Sequence, residues 1–139
     1  METELLVRLV IPDNVAITTL NTLKRMGYKI DELKRQDYYW FDCDESIADK
    51  IGKVDILVNA NKNRFTVKQS SEKLGGTNIL VTNIDEGDGL LNSLKTLGFN
   101  IKKMKKGTLW TIKPEDEKLA KQITEDLLMN PHYQEYEIL

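Results

Sequence analysis

The sequence predicts an α+β fold. Two tandem βαββαβ units, each with an antiparallel sheet covered by helices on one face in a ferredoxin-like manner, are expected to pack about an approximate two-fold axis. Three observations carry this expectation. Shifting the 139-residue chain by 71 lays Leu20–Ile30 on Leu91–Ile101, with six of eleven positions identical. Between the copies, Gln69-Ser-Ser-Glu-Lys-Leu-Gly-Gly76 is polar, ends in two glycines and reads as a linker. Each copy also shows the same succession of strand and helix signals. The expected boundaries are therefore 1–68 for a diverged first repeat, 69–76 for the linker and 77–139 for the second repeat.

The second copy shows the plan most clearly. Asn78–Ile84 is β-branched and apolar, as a strand requires. Asp85, Gly87, Asp88 and Gly89 supply a turn with capping residues. Leu90, Leu91, Leu94 and Leu97 make one helical stripe, and Gly98 stops the helix. Phe99–Lys106 and Thr108–Lys113 flank Gly107, which suggests a hairpin or a bulged bend. Pro114 then opens a second helix, with Glu115, Asp116 and Glu117 at the positive end of its dipole. Leu119, Ala120, Ile123 and Leu127 are its expected buried stripe, and Asn130-Pro131 ends it. Tyr133–Leu139 closes the unit as a strand.

The first copy follows with weaker punctuation. Its helices are expected at 14–26 and 45–58, where Gly52 costs about 1 kcal/mol relative to Ala. The 71-residue shift pairs Tyr39 with Trp110, Phe41 with Ile112, Phe65 with Tyr136 and Val67 with Ile138; the second helix fits better at 72, with Ile51 on Ile123. Each unit alone has a thin core of about 60 ordered residues, so the copies are expected to pack on one another.

Composition narrows function by exclusion. With 40% hydrophobic and 30% charged residues the chain is neither disordered nor membrane-spanning, and no apolar run approaches the ~18 residues of a bilayer span. Met1-Glu-Thr-Glu opposes a signal peptide, so a cytoplasmic location is expected. There are 20 Lys+Arg against 22 Asp+Glu, and neither half has the basic surplus of a nucleic-acid-binding module. Lys102, Lys103, Lys105 and Lys106 are a local exception, read as a solvated strand edge with an anionic partner as the alternative.

No catalytic constellation emerges, and no cofactor or metal is expected. His132 is the only histidine and Cys43 the only cysteine, too few for zinc or triad chemistry. Glu115, Asp116 and Glu117 point about 100° apart on a helix and do not converge on one atom. Glu86–Asn92 begins like a Gly-x-Gly-x-x-Gly loop but lacks the third glycine, leaving a strand-to-helix turn as the better reading. One surface does stand out. Alternation puts Tyr39, Phe41, Trp110 and Ile112 on the core face, leaving Tyr38 and Trp40 on the opposite face with Leu109 and Thr111. That aromatic pair must be covered, either by the other copy or by a separate chain.

Gly98-Phe99 and Met104-Lys-Lys-Gly-Thr-Leu-Trp-Thr-Ile112 resemble the "GY…V-R-x-G-K-x-hydrophobic-E-L" core of the PurS family, the small subunit of phosphoribosylformylglycinamidine synthase. The end of the chain, Asp126-Leu-Leu-Met-Asn-Pro-His-Tyr-Gln-Glu-Tyr-Glu-Ile-Leu139, resembles that family's C-terminus. The match covers roughly 60 residues of the second copy; the first keeps Gly27-Tyr28, Leu33-Lys34 and Asn59, but has Gln36 where the family has Gly and Ala60 where it has Pro. The resemblance implies a non-catalytic subunit of purine biosynthesis that self-associates and bridges synthetase and glutaminase subunits, here as a covalently joined pair. With the Tyr38/Trp40 face, it makes Tyr38, Trp40, Lys105, Gly107, Trp110, Asn130, Pro131 and Tyr136 the candidate partner-interface residues. A homo-oligomer is a further expectation. The competing class is a tandem ACT-like module sensing an amino acid or similar small molecule, which also uses an acidic residue and glycine after its first strand, as at Asp85–Leu91.

Overall fold

A computed structural model describes residues 2–43, 48–51, 63–67, 76–84 and 88–139. In chain order the elements are β1 (Glu2–Leu9), α1 (Asn14–Arg25), β2 (Glu32–Cys43), α2 (Ala48–Ile51), β3 (Asn63–Val67), β4 (Thr77–Asn83), α3 (Asp88–Thr96), β5 (Ile101–Lys113), α4 (Glu117–Ile123) and β6 (Gln134–Ile138). The fold is α+β. All six strands join one antiparallel sheet in the order β3-β1-β2-β5-β4-β6. Exchanging β1 with β4, β2 with β5 and β3 with β6 reproduces that order read from the other edge.

The centre of the sheet is the long β2–β5 pair. Asp37 stands opposite Thr108, and those two residues are 71 apart in sequence. Arg35↔Trp110 and Tyr39↔Lys106 flank them, and Lys106 and Trp110 lie 71 residues beyond Arg35 and Tyr39. The edges match too: Val67 stands opposite Leu5 as Ile138 stands opposite Ile79.

Helices cover one face of the sheet. Asp13 caps α1 by accepting from the Val15 and Ala16 N–H groups, and Lys24 and Arg25 suit the negative end of its dipole. Both α1 and α3 run out at a glycine of positive φ, Gly27 and Gly98.

The helix-side core is divided in two, and each part draws on both ends of the chain. In one, Leu91 and Leu94 of α3 pack with Leu5 and Val7 of β1 and Tyr39 and Phe41 of β2. In the other, Leu23 of α1 packs with Ile79 and Val81 of β4, Trp110 and Ile112 of β5, and Ala120 and Ile123 of α4. Burying Leu23, Leu94 or Phe41, each 0% exposed, contributes about 1.5–3 kcal/mol apiece. By strand alternation, Arg35, Asp37, Lys106 and Thr108 lie on the same face between the two clusters, a polar seam along the sheet centre.

Several sequence expectations need correction. The hairpin or bend at Gly107 is absent: β5 runs unbroken from Ile101 to Lys113, so each half contributes three described strands rather than the four of a βαββαβ unit. The glycine serves close strand approach instead, since a Cβ there would lie 2.1 Å from the Val81 carbonyl oxygen. Helix α4 starts at Glu117, not at Pro114, because Asp116 is the cap: its Oδ1 accepts from Leu119 N–H while its own N–H donates to Thr77 Oγ1. The helix then widens into a π-turn over Thr124–Leu128, closed by Met129 N–H on the Thr124 carbonyl. A π-turn returns after five residues rather than four. Leu128 therefore follows Ile123 into the core, and the expected Leu127 is exposed. Leu97 lies past the end of α3 and is exposed as well. Of the expected helix at 45–58 only Ala48–Ile51 is described; the rest, the linker before Gly76 and the turn at 85–87 lie outside the described residues.

Candidate functional site

The face of the sheet away from the helices carries its own apolar cluster: Leu6, Tyr38 and Leu109 are buried, with Trp40 and Leu80 packed against them. The placement of Tyr38 and Trp40 follows from alternation with Tyr39 and Phe41. Tyr38 stands opposite Leu6 on one side and Gly107 on the other, and Trp40 stands opposite Glu4 and Lys105. The Tyr38 hydroxyl donates to Glu4 Oε2 at 2.9 Å, which satisfies its polar end. Lys105 Nζ lies 5.6 Å from the centre of the Trp40 ring, a cation–π contact. Four of the eight candidate residues (Tyr38, Trp40, Lys105 and Gly107) thus meet on this one face.

The other four do not join them. Trp110 is 7% exposed in the helix-side core. Tyr136 packs at the margin of that core, and its hydroxyl donates to Glu125 Oε1 at 2.8 Å; this bond raises the Tyr136 pKa. Asn130 builds the turn into β6: its side chain accepts from His132 N–H and its carbonyl from the N–H groups of Tyr133 and Gln134. Pro131 lies within the same turn. His132 is exposed there beside Tyr133. Cys43 is the buried last residue of β2.

A second locus was not visible in the sequence. Strands β1 and β2 stop pairing after Val7↔Asp37, while β2 continues along β5 to Glu32↔Lys113. A cleft of about 520 Å³ occupies this fork, within the size range of small-molecule sites. Alternation places Arg8, Glu32, Lys34, Gln36, Thr111 and Lys113 on its rim at the helix-free face. Leu9, Ala16, Ile17 and Leu33 line it as well, together with Asp13 and Arg35. Thr111 and Lys113 come from β5, so both ends of the chain build the cleft. Sequence reading missed it because isolated charges at strand ends look like ordinary solvated residues.

The charges in the cleft are unevenly committed. Asp13 is fully engaged, capping α1 with one oxygen and accepting from Arg35 Nε at 2.8 Å with the other. Glu32 sits 2.9 Å from Lys34 Nζ and 3.3 Å from Lys113 Nζ; hydrogen bonds from Lys34, then Lys113, lower its pKa. Arg8 makes no ion pair among the described residues.

The polar seam has its own electrostatics. Burial raises the Asp37 pKa, opposed by the nearby Arg35 and Lys106 and reinforced by Asp13. Burial, aided by Asp37, pushes Tyr39 up to about 12. Among the described residues no group of three or more His, Cys, Asp or Glu side chains gathers to hold a metal, and no helix is long and apolar enough to cross a membrane. No protein-family model matches the chain, and no curated protein matches it significantly.

Proposed function

We propose that this chain is a non-catalytic, PurS-like subunit: a tandem pair of small units, residues 1–68 and 77–139, joined covalently and acting in the cytoplasm. In this reading it bridges the synthetase and glutaminase subunits of phosphoribosylformylglycinamidine synthase. The observation that carries it is the strand order, symmetric about Asp37↔Thr108. Two self-associating small subunits fused end to end would place their central strands side by side in this way, with each central residue facing its own counterpart. The helix-free face, where Tyr38, Trp40 and Lys105 meet, is then the bridging surface, because aromatic side chains are enriched at interfaces and Trp40 is only partly covered within the chain. The test is affinity purification of the tagged chain from its native extract. Synthetase and glutaminase chains in the eluate, lost in the Trp40→Ser variant, support the reading; their absence at native expression levels defeats it.

A second reading, a tandem ACT-like sensor, is favoured by one observation: the cleft at the β1–β2 fork is lined from both halves of the chain. Amino-acid-dependent thermal stabilisation tests it, since a ligand that binds only the folded state raises the melting temperature with concentration.

A further inference from the structure

We propose that the cleft at the β1–β2 fork is a binding site for a small amphipathic anion, one carboxylate or phosphate group on an apolar body. Charge selects the ligand's sign. The rim carries Arg8, Lys34 and Lys113 against Glu32 alone, an excess of two positive charges on one side of a cleft of about 520 Å³. The acidic groups are already engaged: Glu32 holds both lysines, and Asp13 holds Arg35 and the start of α1. The capacity left over is cationic. Arg8 has no ion pair among the described residues, and a guanidinium presents paired donors that match a carboxylate or phosphate edge. Gln36 adds a neutral polar group to the lining, whereas the buried Thr111 hydroxyl already donates to Asn78 Oδ1 at 2.9 Å.

The apolar part of the ligand is specified by the other lining residues. Leu9, Ala16, Ile17 and Leu33 form a wall with no charge of its own, and Ile17 is 49% exposed. A partly exposed isoleucine in a cleft is covered when an apolar body enters, whereas inorganic phosphate leaves it wet. The fork itself explains why the cleft exists. Asp13 draws α1 toward Arg35, and β1 leaves β2 after Val7 to reach the helix, opening the space between the strands. This site does not rest on the subunit reading: its rim shares the helix-free face, but none of its residues belongs to the cluster of Leu6, Tyr38, Trp40, Leu80 and Leu109.

The experiment is a titration of the full chain with phenyl phosphate, inorganic phosphate and leucine, followed by backbone amide shifts. Phenyl phosphate is expected to bind tighter than inorganic phosphate, with shifts confined to residues 8–17, 32–36 and 111–113. Arg8→Met is expected to weaken phenyl phosphate about tenfold or more while leaving the melting temperature unchanged, because Arg8 is exposed. Ile17→Ser is expected to erase the preference for phenyl phosphate over inorganic phosphate. Shifts centred on Lys102–Lys106, or equal affinity in Arg8→Met, overturn the proposal as non-specific attraction to surface charge. Binding of leucine, whose ammonium cancels its carboxylate, in place of the anionic phenyl phosphate overturns the preference for a net anion while sparing the sensor reading. Co-purification with enzyme subunits is a separate outcome that bears only on the subunit reading.

Discussion

Asp37 faces Thr108 across the β2–β5 pair at the centre of the sheet, and each is the residue the other becomes after a 71-residue step along the chain. The pair is chemically unequal although its place is symmetric. Asp37 is a partly buried carboxyl between Arg35 and Lys106, and Thr108 is neutral.

That inequality has a pH signature. The folded-state pKa of Asp37 is raised, so between the ordinary aspartate value of 3.8 and the higher folded value the native state holds more protons than the unfolded one. Stability contributed by the protonated form is lost as pH rises through that window. Asp37→Asn is therefore expected to raise the melting temperature at pH 7, the gain shrinking to nothing below pH 3.8. Thermal melts across pH 3–8 check this, and a gain that persists at pH 3 contradicts it.

Glu32 carries the opposite sign. Its lowered pKa means that its pairing with Lys34 and Lys113 supports the fold above the unfolded glutamate value and fades as pH falls through the lower folded one. The group is exposed, so the effect is small and salt-sensitive. Chemical-shift titration of the Glu32 carboxyl in wild type and in Lys113→Gln measures it directly; the variant is expected to titrate at higher pH.

The π-turn makes a sharp pair of substitutions. Leu128→Ala empties a buried site and is expected to cost about 2–5 kcal/mol, whereas the exposed Leu127→Ala is expected to stay within about 0.5 kcal/mol. Urea denaturation separates them. Equal costs show that the helix does not widen there.

Gly107 and Gly89 form a second contrast. Alanine at 107 meets the Val81 carbonyl and the Thr82 Cα, both backbone atoms, and is expected to destabilise by about 1–3 kcal/mol or more. Alanine at 89, in an open position on α3, is expected to stabilise by about 0.4–1 kcal/mol. A neutral Gly107→Ala rules out the close approach of β4 and β5.

On the helix-free face, Tyr38 and Trp40 separate into different tasks. Tyr38 is 6% exposed against Leu6 and Leu109, and Tyr38→Ser is expected to cost roughly 3 kcal/mol. Trp40 is only partly covered, so Trp40→Ser is expected to cost clearly less in stability and to act mainly on partner capture. Denaturation and affinity purification of both variants distinguish the two roles.

The sequence made some of this visible and hid the rest for physical reasons. Alternation through Tyr38-Tyr39-Trp40-Phe41 assigned both faces of β2, because period two leaves no freedom once one face is buried. The first helix, expected at 14–26, was legible to within one residue of Asn14–Arg25, where the Asp13 side chain caps the start and Gly27, at positive φ, follows the end. Gly107 misled, since a glycine within a strand signals a turn and a close backbone approach equally well. The π-turn left no local mark, and its one-residue slip exchanged Leu127 for Leu128. The cleft was hidden because it arises where two strands part, a tertiary event that no short window of residues encodes.

The shared cores set an order of events at the ribosome. Leu5, Val7 and Phe41 emerge early, yet the helix that covers them, with Leu91 and Leu94, is made about 50 residues later, and Ile101 and Met104 of the same cluster follow it. The roughly 50 residues from Cys43 to Leu94 take about 3–10 seconds to translate at typical speeds. Throughout that interval the nascent chain presents an apolar sheet face and the free edge of β2, a template for any unpaired strand nearby. A chain truncated near residue 70 is thus expected to be protease-sensitive and bound by chaperones, and the full chain to be protected.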